Sequence, residues 1–251
     1  VSATARSAAA AAALRATGIA VVEADLDAAL PPGSLAPAIQ AGAIAYLAPP
    51  PDAGTTDPRL ENFLQAIDPA RPSVVLYMST TGVYGDTGGG IVTEESPLLP
   101  ANDRARRRVA AEGAVQAWCG ERRVRCVILR VPGIYGPGRL PIDRLRRGEP
   151  ALRPEDAGPG NRIHVADLVS ACVAALERRV SGAFNVTDGN PATTTEFLQR
   201  TAAIAGLPAP PLVALADAPG RISAGMLAFL RESRRVDNRR MREELGVEPR
   251  Y

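Results

Sequence analysis

Val74-Val75-Leu76-Tyr77-Met78-Ser79-Thr80-Thr81-Gly82-Val83-Tyr84-Gly85 is the stretch that decides how this chain reads. Its first five residues show no polar alternation, the pattern of a strand buried on both faces at the centre of a parallel sheet. The second half turns to hydroxyls, a tyrosine and two glycines that loosen the turn. In open α/β sheets ligands bind just beyond the carboxyl ends of the strands, so Ser79, Thr80, Thr81 and Tyr84 stand where chemistry can sit.

Working upstream, a helix is expected at Asp57 to Ile67 and a strand at Ala43 to Leu47, stopped by Pro49-Pro50-Pro51 because proline cannot continue a ladder. Before them come a helix around Ser34 to Gln40, a strand at Ile19 to Ala24, a helix through the alanines to about Thr17 closed by Gly18, and a short strand at Val1 to Ala5. Downstream, a Gly- and Pro-rich loop from Asp86 to Pro100 leads to a long helix from Asp103 to Cys119 and a strand at Val124 to Val131. This alternation calls for a doubly wound parallel α/β sheet. Beyond Gly138 the pattern loosens into a short helix near Ile142 to Arg147, a helix from Asp167 to Arg178 and a strand at Ala183 to Val186. Thr193 with Glu196 forms a capping box for a helix to about Ala205; a loop from Pro208 to Pro219 and a last helix from Asn238 to Leu245 follow.

A chain of 251 residues with 46% hydrophobic content can bury a real core. The alanine-rich run from Ala8 to Leu14 is too short to span a bilayer and no signal-peptide pattern precedes it, which reads as a cytoplasmic protein without membrane association. Three cysteines, Cys119, Cys126 and Cys172, are odd in number and fall in helix and strand interiors, so they read as reduced thiols. With His164 the only histidine, no metal site is expected, and His164 reads as structural, near an Asp167 that caps a helix. Net charge is +2 and the arginine clusters at 104–108 and 234–242 are interleaved with acids, which argues against a nucleic-acid partner. Every basic residue is an arginine; the chain has no lysine.

The segment from Ser79 to Gly85 resembles the S-[ST]-x-x-V-Y-G block of the extended short-chain dehydrogenases/reductases, the NAD-dependent epimerase/dehydratase relatives. The resemblance continues through Leu129-Arg130-Val131-Pro132-Gly133-Ile134-Tyr135-Gly136-Pro137-Gly138-Arg139, then Ile163-His164-Val165-Ala166-Asp167-Leu168, then Phe184-Asn185-Val186-Thr187-Asp188-Gly189, in the family's order and spacing. It implies a dinucleotide-binding Rossmann domain over residues 1–136 and a small C-terminal substrate lobe over 137–251, with 161–187 returning partly to the core. The family's opening strand and G-x-G-x-x-G turn have no counterpart in these residues; with Val1 to Ala5 as the second strand, the expectation is that a central strand and its glycine loop precede Val1.

The resemblance also implies roles. For the cofactor these are Arg6 and Ser7 after the second strand, Asp25 and Leu26 beside the adenine, Ala48, Pro49 and Pro50 along the middle, Ser79, and Pro132, Gly133 and Ile134 at the nicotinamide. An arginine at position 6 in place of an acid favours NADP over NAD, since it can pair with a 2′-phosphate. Active relatives carry Tyr-x-x-x-Lys on the long helix; placed by Ala110-Ala111-Glu112, those positions hold Arg104 and Arg108. Arginine stays protonated, so neither trades a proton with a substrate, although Arg108 can still bond a ribose and the i, i+4 pair favours an anionic or nucleotide-linked small molecule. Thr80 and Tyr84 remain the catalytic candidates, and Thr81, Arg104, Tyr135 and Arg139 the substrate-binding ones. The expected activity is that of an oxidoreductase or isomerase with an atypical site, the rival reading being a dinucleotide-binding sensor without turnover. The long helix corresponds to an element that builds homodimers in the family.

Overall fold

Residues 1–251 are described by a computed structural model. In chain order the elements are β1 (Ser2–Ala5), α1 (Ala8–Arg15), β2 (Ala20–Glu23), α2 (Ala36–Ile39), β3 (Ala43–Tyr46), α3 (Pro58–Ala66), β4 (Val74–Thr80), β5 (Ile91–Val92), α4 (Asp103–Arg122), β6 (Arg125–Val131) and β7 (Gly133–Tyr135). They continue with α5 (Ile142–Arg146), β8 (Ala151–Leu152), β9 (Arg162–His164), α6 (Val165–Glu177), β10 (Gly182–Asn185), α7 (Thr194–Ile204), β11 (Leu212–Val213), α8 (Ala224–Arg231), β12 (Arg235–Val236) and α9 (Arg239–Glu244). No helix is long and apolar enough to cross a membrane.

The chain divides into two compact units. The first comprises Val1–Ser79, Asn102–Leu129 and Ala175–Gly182. In it β3, β4 and β6 are neighbours in that order, and β3 runs parallel to β4 with Ala43 opposite Val74 and Tyr46 opposite Tyr77. Val74, Val75, Leu76 and Tyr77 have no exposed surface, as a strand covered on both faces requires. β1 and β2 form a parallel pair of their own, Ser2 opposite Ala20 through Ala5 opposite Glu23. The doubly wound alternation thus forms two sheets in this unit, since no strand of these residues is hydrogen-bonded between β1 and the edge strand β3.

Helix α3 begins where Asp57 accepts a 3.1 Å hydrogen bond from the Leu60 amide and Pro58 takes the first helical position, and it buries Leu60, Phe63, Leu64 and Ala66. Helix α4 is capped by Asn102 and runs to Arg122, one turn beyond the Cys119 expected from the apolar pattern. The extension is held from outside the apolar face: Arg122 pairs with Asp68 and Glu121, and its guanidinium lies 4.5 Å from the Trp118 ring centroid. Arg123, at φ 54°, ends the helix as the only non-glycine residue in the left-handed region.

The second unit comprises Thr80–Ala101, Arg130–Ala174 and Ala183–Tyr251. Apart from β10, its strands are short parallel pairs, β7 with β9, β8 with β11 and β5 with β12. The boundary differs from the one at residue 136 that the motifs implied. The loop from Thr80 to Ala101 belongs to this unit because β5 pairs with β12 and the Thr87 and Gly89 amides each donate to the Ser233 carbonyl at 3.0 Å. Of the stretch 161–187, only Ala175–Gly182 belongs to the first unit. The Pro208 to Pro219 loop contains β11, whose pairing with Ala151-Leu152 no local pattern announces. Helix α8, absent from the sequence reading, buries Leu227 in a cluster with Leu152, Val213, Ala218 and Ile222, with Met226 and Leu230 partly buried against it. The capping box is formed: Thr193 accepts from the Glu196 amide and Glu196 from the Thr193 amide. Gly85, at φ 68°, is obligatory, since a Cβ there would fall 2.0 Å from the Leu99 carbonyl oxygen.

Burial pushes the Asp57 carboxyl above its ordinary 3.8, and its Oδ2 is buried without a partner. A raised folded value means that this carboxyl favours folding at acid pH and loses that contribution as pH rises through the folded value. Asp57→Asn keeps the capping oxygen and removes the charge. Urea denaturation across a pH series is therefore expected to show the variant gaining on the wild type as pH rises above 3.8, whereas Asp57→Ala loses about 1 kcal/mol with the cap. A constant difference between Asn variant and wild type at all pH values would contradict this account.

Candidate functional site

In the first unit, two groups of expected site residues form around arginines. Arg59 clamps Asp27 with two hydrogen bonds, at 2.5 and 2.9 Å, and donates to the Pro49 and Pro50 carbonyls at 3.1 and 3.2 Å. The Arg59 bonds hold the Asp27 carboxyl below its usual range, with Arg6 adding a weaker contact at 3.3 Å. Asp25 accepts from the Asp27 amide, and the Leu26 carbonyl accepts from Asn62 Nδ2 at 2.9 Å. The structure thus gathers Arg6, Asp25, Leu26, Pro49 and Pro50 around one ion pair. Because Arg59 already satisfies Asp27, Arg6 remains the surplus cation, and its side chain is 66% exposed. Ser7 is the N-cap of α1. Ala48 is half-buried.

The second group lies at the end of β4. Arg108 donates from one nitrogen to the Tyr77 hydroxyl at 2.9 Å and the Met78 carbonyl at 3.1 Å, so α4 is tied to the strand's carboxyl end. Ser79 donates to Glu112 at 2.5 Å in a buried pair, which gives it a structural partner. Arg104, expected on the same face as Arg108, is exposed while Arg108 is half-buried. The i, i+4 spacing does not make them a matched pair, because Arg108 folds down onto Tyr77.

In the second unit Tyr84 is wholly buried. Its hydroxyl donates to Asn185 Oδ1 at 2.7 Å and accepts from Arg130 at 2.9 Å, and Arg130 also donates to the Glu94 carbonyl at 3.1 Å. Asn185 is held from its other side by Glu94 Oε1 and the Asp237 carbonyl. Burial raises the Tyr84 phenol above its ordinary value despite the adjacent Arg130. The phenol is thus enclosed by protein partners, its proton donated to Asn185 and its oxygen accepting from Arg130. Thr80 is half-buried, with Oγ1 accepting from the Gly82 amide, and Thr81 is buried. Pro132, Gly133 and Ile134 lead into and form β7, with Gly133 exposed, and Arg139 is exposed on the turn after it.

Tyr135 is half-buried and donates its hydroxyl proton to Asp188; burial first, then that carboxylate, push the phenol up to about 12. It lines a cavity of about 390 Å³ with Arg162, Asp188, Phe197, Arg200 and Tyr251. Sequence reasoning gave no role to Arg130 and Asn185, although both lie in the blocks that carry the resemblance, nor to Glu94 or this cavity; Arg130, a charge inside the apolar run of β6, was a signal.

A Rossmann-like α/β architecture with a β-strand rim of this kind defines a nucleotide-binding class of fold. The family profile of the NAD dependent epimerase/dehydratase family matches residues 60–187, and the chain belongs to that family. A Streptomyces 3-diazoavenalumate denitrifying reductase is 32% identical over 173 residues, 64% of this chain and 56% of that protein. The chain spans about half the length of the curated relatives it matches. Among solved structures, a conserved Silicibacter pomeroyi protein of unknown function is 32% identical with a TM-score of 0.78, over 99% of this chain and 84% of that one. MoeE5, solved with UDP-glucuronic acid and NAD, has a TM-score of 0.74 at 22% identity over 96% of this chain and 89% of that one, a likeness of fold.

Replacing Tyr84 by Phe deletes one hydroxyl from a closed buried network. It is expected to destabilise the fold by about 1–3 kcal/mol in urea denaturation, without selectively removing any turnover that is measured. A variant as stable as wild type but devoid of turnover would instead return Tyr84 to the chemistry.

Proposed function

We propose that this chain carries an NADP-dependent reductase or epimerase/dehydratase type of site, for an anionic or nucleotide-linked small molecule, that works without a Tyr-x-x-x-Lys pair. The observation that carries this reading is Arg6, an exposed cation at the end of β1 whose nearest acid is already satisfied by Arg59. Such a cation fits a phosphate monoester, the feature that separates NADP from NAD. When bound, a nicotinamide dinucleotide supplies hydride transfer. On this reading Arg6 and Ser7 hold the 2′-phosphate, Asp25, Leu26, Ala48, Pro49 and Pro50 border the dinucleotide, and Arg108 offers its remaining N–H groups to a ribose. Thr80, Thr81, Tyr135 and Arg139 serve the substrate.

Arginines at both positions of the usual acid/base pair, with Tyr84 locked inward, leave a site poor in proton donors. That suits a reduction in which hydride addition needs no protein acid, and the name of the Streptomyces relative, a denitrifying reductase, supports a reductase. The same poverty favours the second reading, a dinucleotide-binding sensor without turnover.

Fluorescence titration with NADPH and NADH separates these readings when followed by a turnover assay. NADPH is expected to bind more tightly than NADH, and Arg6→Ala to weaken NADPH by about tenfold or more while leaving NADH unchanged. Binding of neither dinucleotide overturns the reading. NADPH binding with no consumption across carbonyl and nucleotide-sugar substrates leaves the sensor.

A further inference from the structure

The cavity of the second unit is walled in part by the rings of Tyr135, Phe197 and Tyr251. Tyr135 meets Phe197 edge to face at 5.8 Å and, behind the wall, His164 at 5.3 Å, and His164 stacks on Tyr251 at 3.8 Å. The Arg162 guanidinium lies 4.4 Å from the Phe197 ring centroid and is fixed there by the Ala192 carbonyl at 2.7 Å and Thr194 Oγ1 at 3.3 Å. Leu140, Ile142 and Ile204 extend the apolar lining. Three charged residues face this space, two arginines, Arg162 and Arg200, and one acid, Asp188. Burial raises the Asp188 carboxyl above its ordinary value, and it is already the acceptor for the Tyr135 hydroxyl. The balance of charge is therefore positive, inside walls that favour flat apolar surface.

Size narrows the choice. A volume of about 390 Å³ is near the lower end of the roughly 300–1,000 Å³ range of small-molecule sites, enough for one ring system with a short side chain. We propose that this cavity binds an aromatic carboxylate, its ring packed against the wall that Tyr135 and Phe197 form together and its carboxylate directed to Arg200. Resting on the functional reading above, this names the substrate class as aromatic acids in place of nucleotide-linked sugars. Arg162, braced by two bonds and a ring face, supplies positive potential without having to move; Arg200, exposed on α7, is the group that closes on the carboxylate.

The test is calorimetric and needs no cofactor. trans-Cinnamate is titrated into the full chain beside cyclohexanepropionate, which keeps the charge without the ring, and cinnamyl alcohol, which keeps the ring without the charge. Cinnamate is expected to bind at least fivefold more tightly than either, and Phe197→Leu and Arg200→Gln each to weaken it by a similar factor. Phe197→Leu keeps apolar bulk, and Arg200 is exposed, so circular dichroism confirms that both variants fold. No cinnamate binding at millimolar concentration, equal binding of cyclohexanepropionate, or indifference to both substitutions overturns the proposal. Because NADPH is titrated separately, failure to bind NADPH with cinnamate still bound removes the reductase reading and keeps the aromatic site. NADPH binding without cinnamate binding removes the aromatic site alone.

Discussion

Burial of Val74 to Tyr77 on both faces of β4 is the constraint on which the first unit rests. A strand with no exposed surface from Val74 to Tyr77 must be covered on both faces, so the elements that cover it are positioned by the same requirement. Helix α4 meets this demand with polar as well as apolar contacts. Arg108 reaches the Tyr77 hydroxyl and Met78 carbonyl, and Glu112 takes the Ser79 hydroxyl, so the carboxyl end of the strand is tied where its apolar run gives out. Buried polar groups demand partners, and here the partners fix the helix against the strand in register.

The polar centre of the second unit obeys the same rule with different parts. Tyr84, Arg130, Asn185 and Glu94 exchange hydrogen bonds in a closed set, which makes the tyrosine of a recognisable motif a strut. The contrast with Tyr135 is instructive. Both are rim tyrosines of similar local sequence, Val83-Tyr84-Gly85 and Ile134-Tyr135-Gly136, yet one is enclosed and the other faces a cavity.

The central strand, the doubly wound alternation and the Thr193 capping box were legible because each depends on neighbours in sequence. The end of α4 was not, since Arg122 is held there partly by Asp68, 54 positions away. Nor was the fate of Tyr84, whose partner Asn185 lies 101 positions on. Arg6, Asp25 and Pro49 meet around Asp27 and Arg59, and Arg59, the residue that assembles them, carries no motif at all. Two-residue pairs such as β8 with β11 are invisible to periodicity, for they contain less than one full alternation.

Gly85 and Leu99 touch backbone to backbone at the neck of the loop between them. Such a neck separates the geometry of the loop's ends from the length of what lies between. Extending a flexible loop adds only about 0.6 kcal/mol for each doubling of its length, so room for insertion lies in the stretches between the segment's own anchors, the bonds to Ser233, β5 and Glu94, while the residues at its base keep their places. Evolutionary change in what this surface meets can therefore proceed within the loop, with the glycine itself as the fixed point.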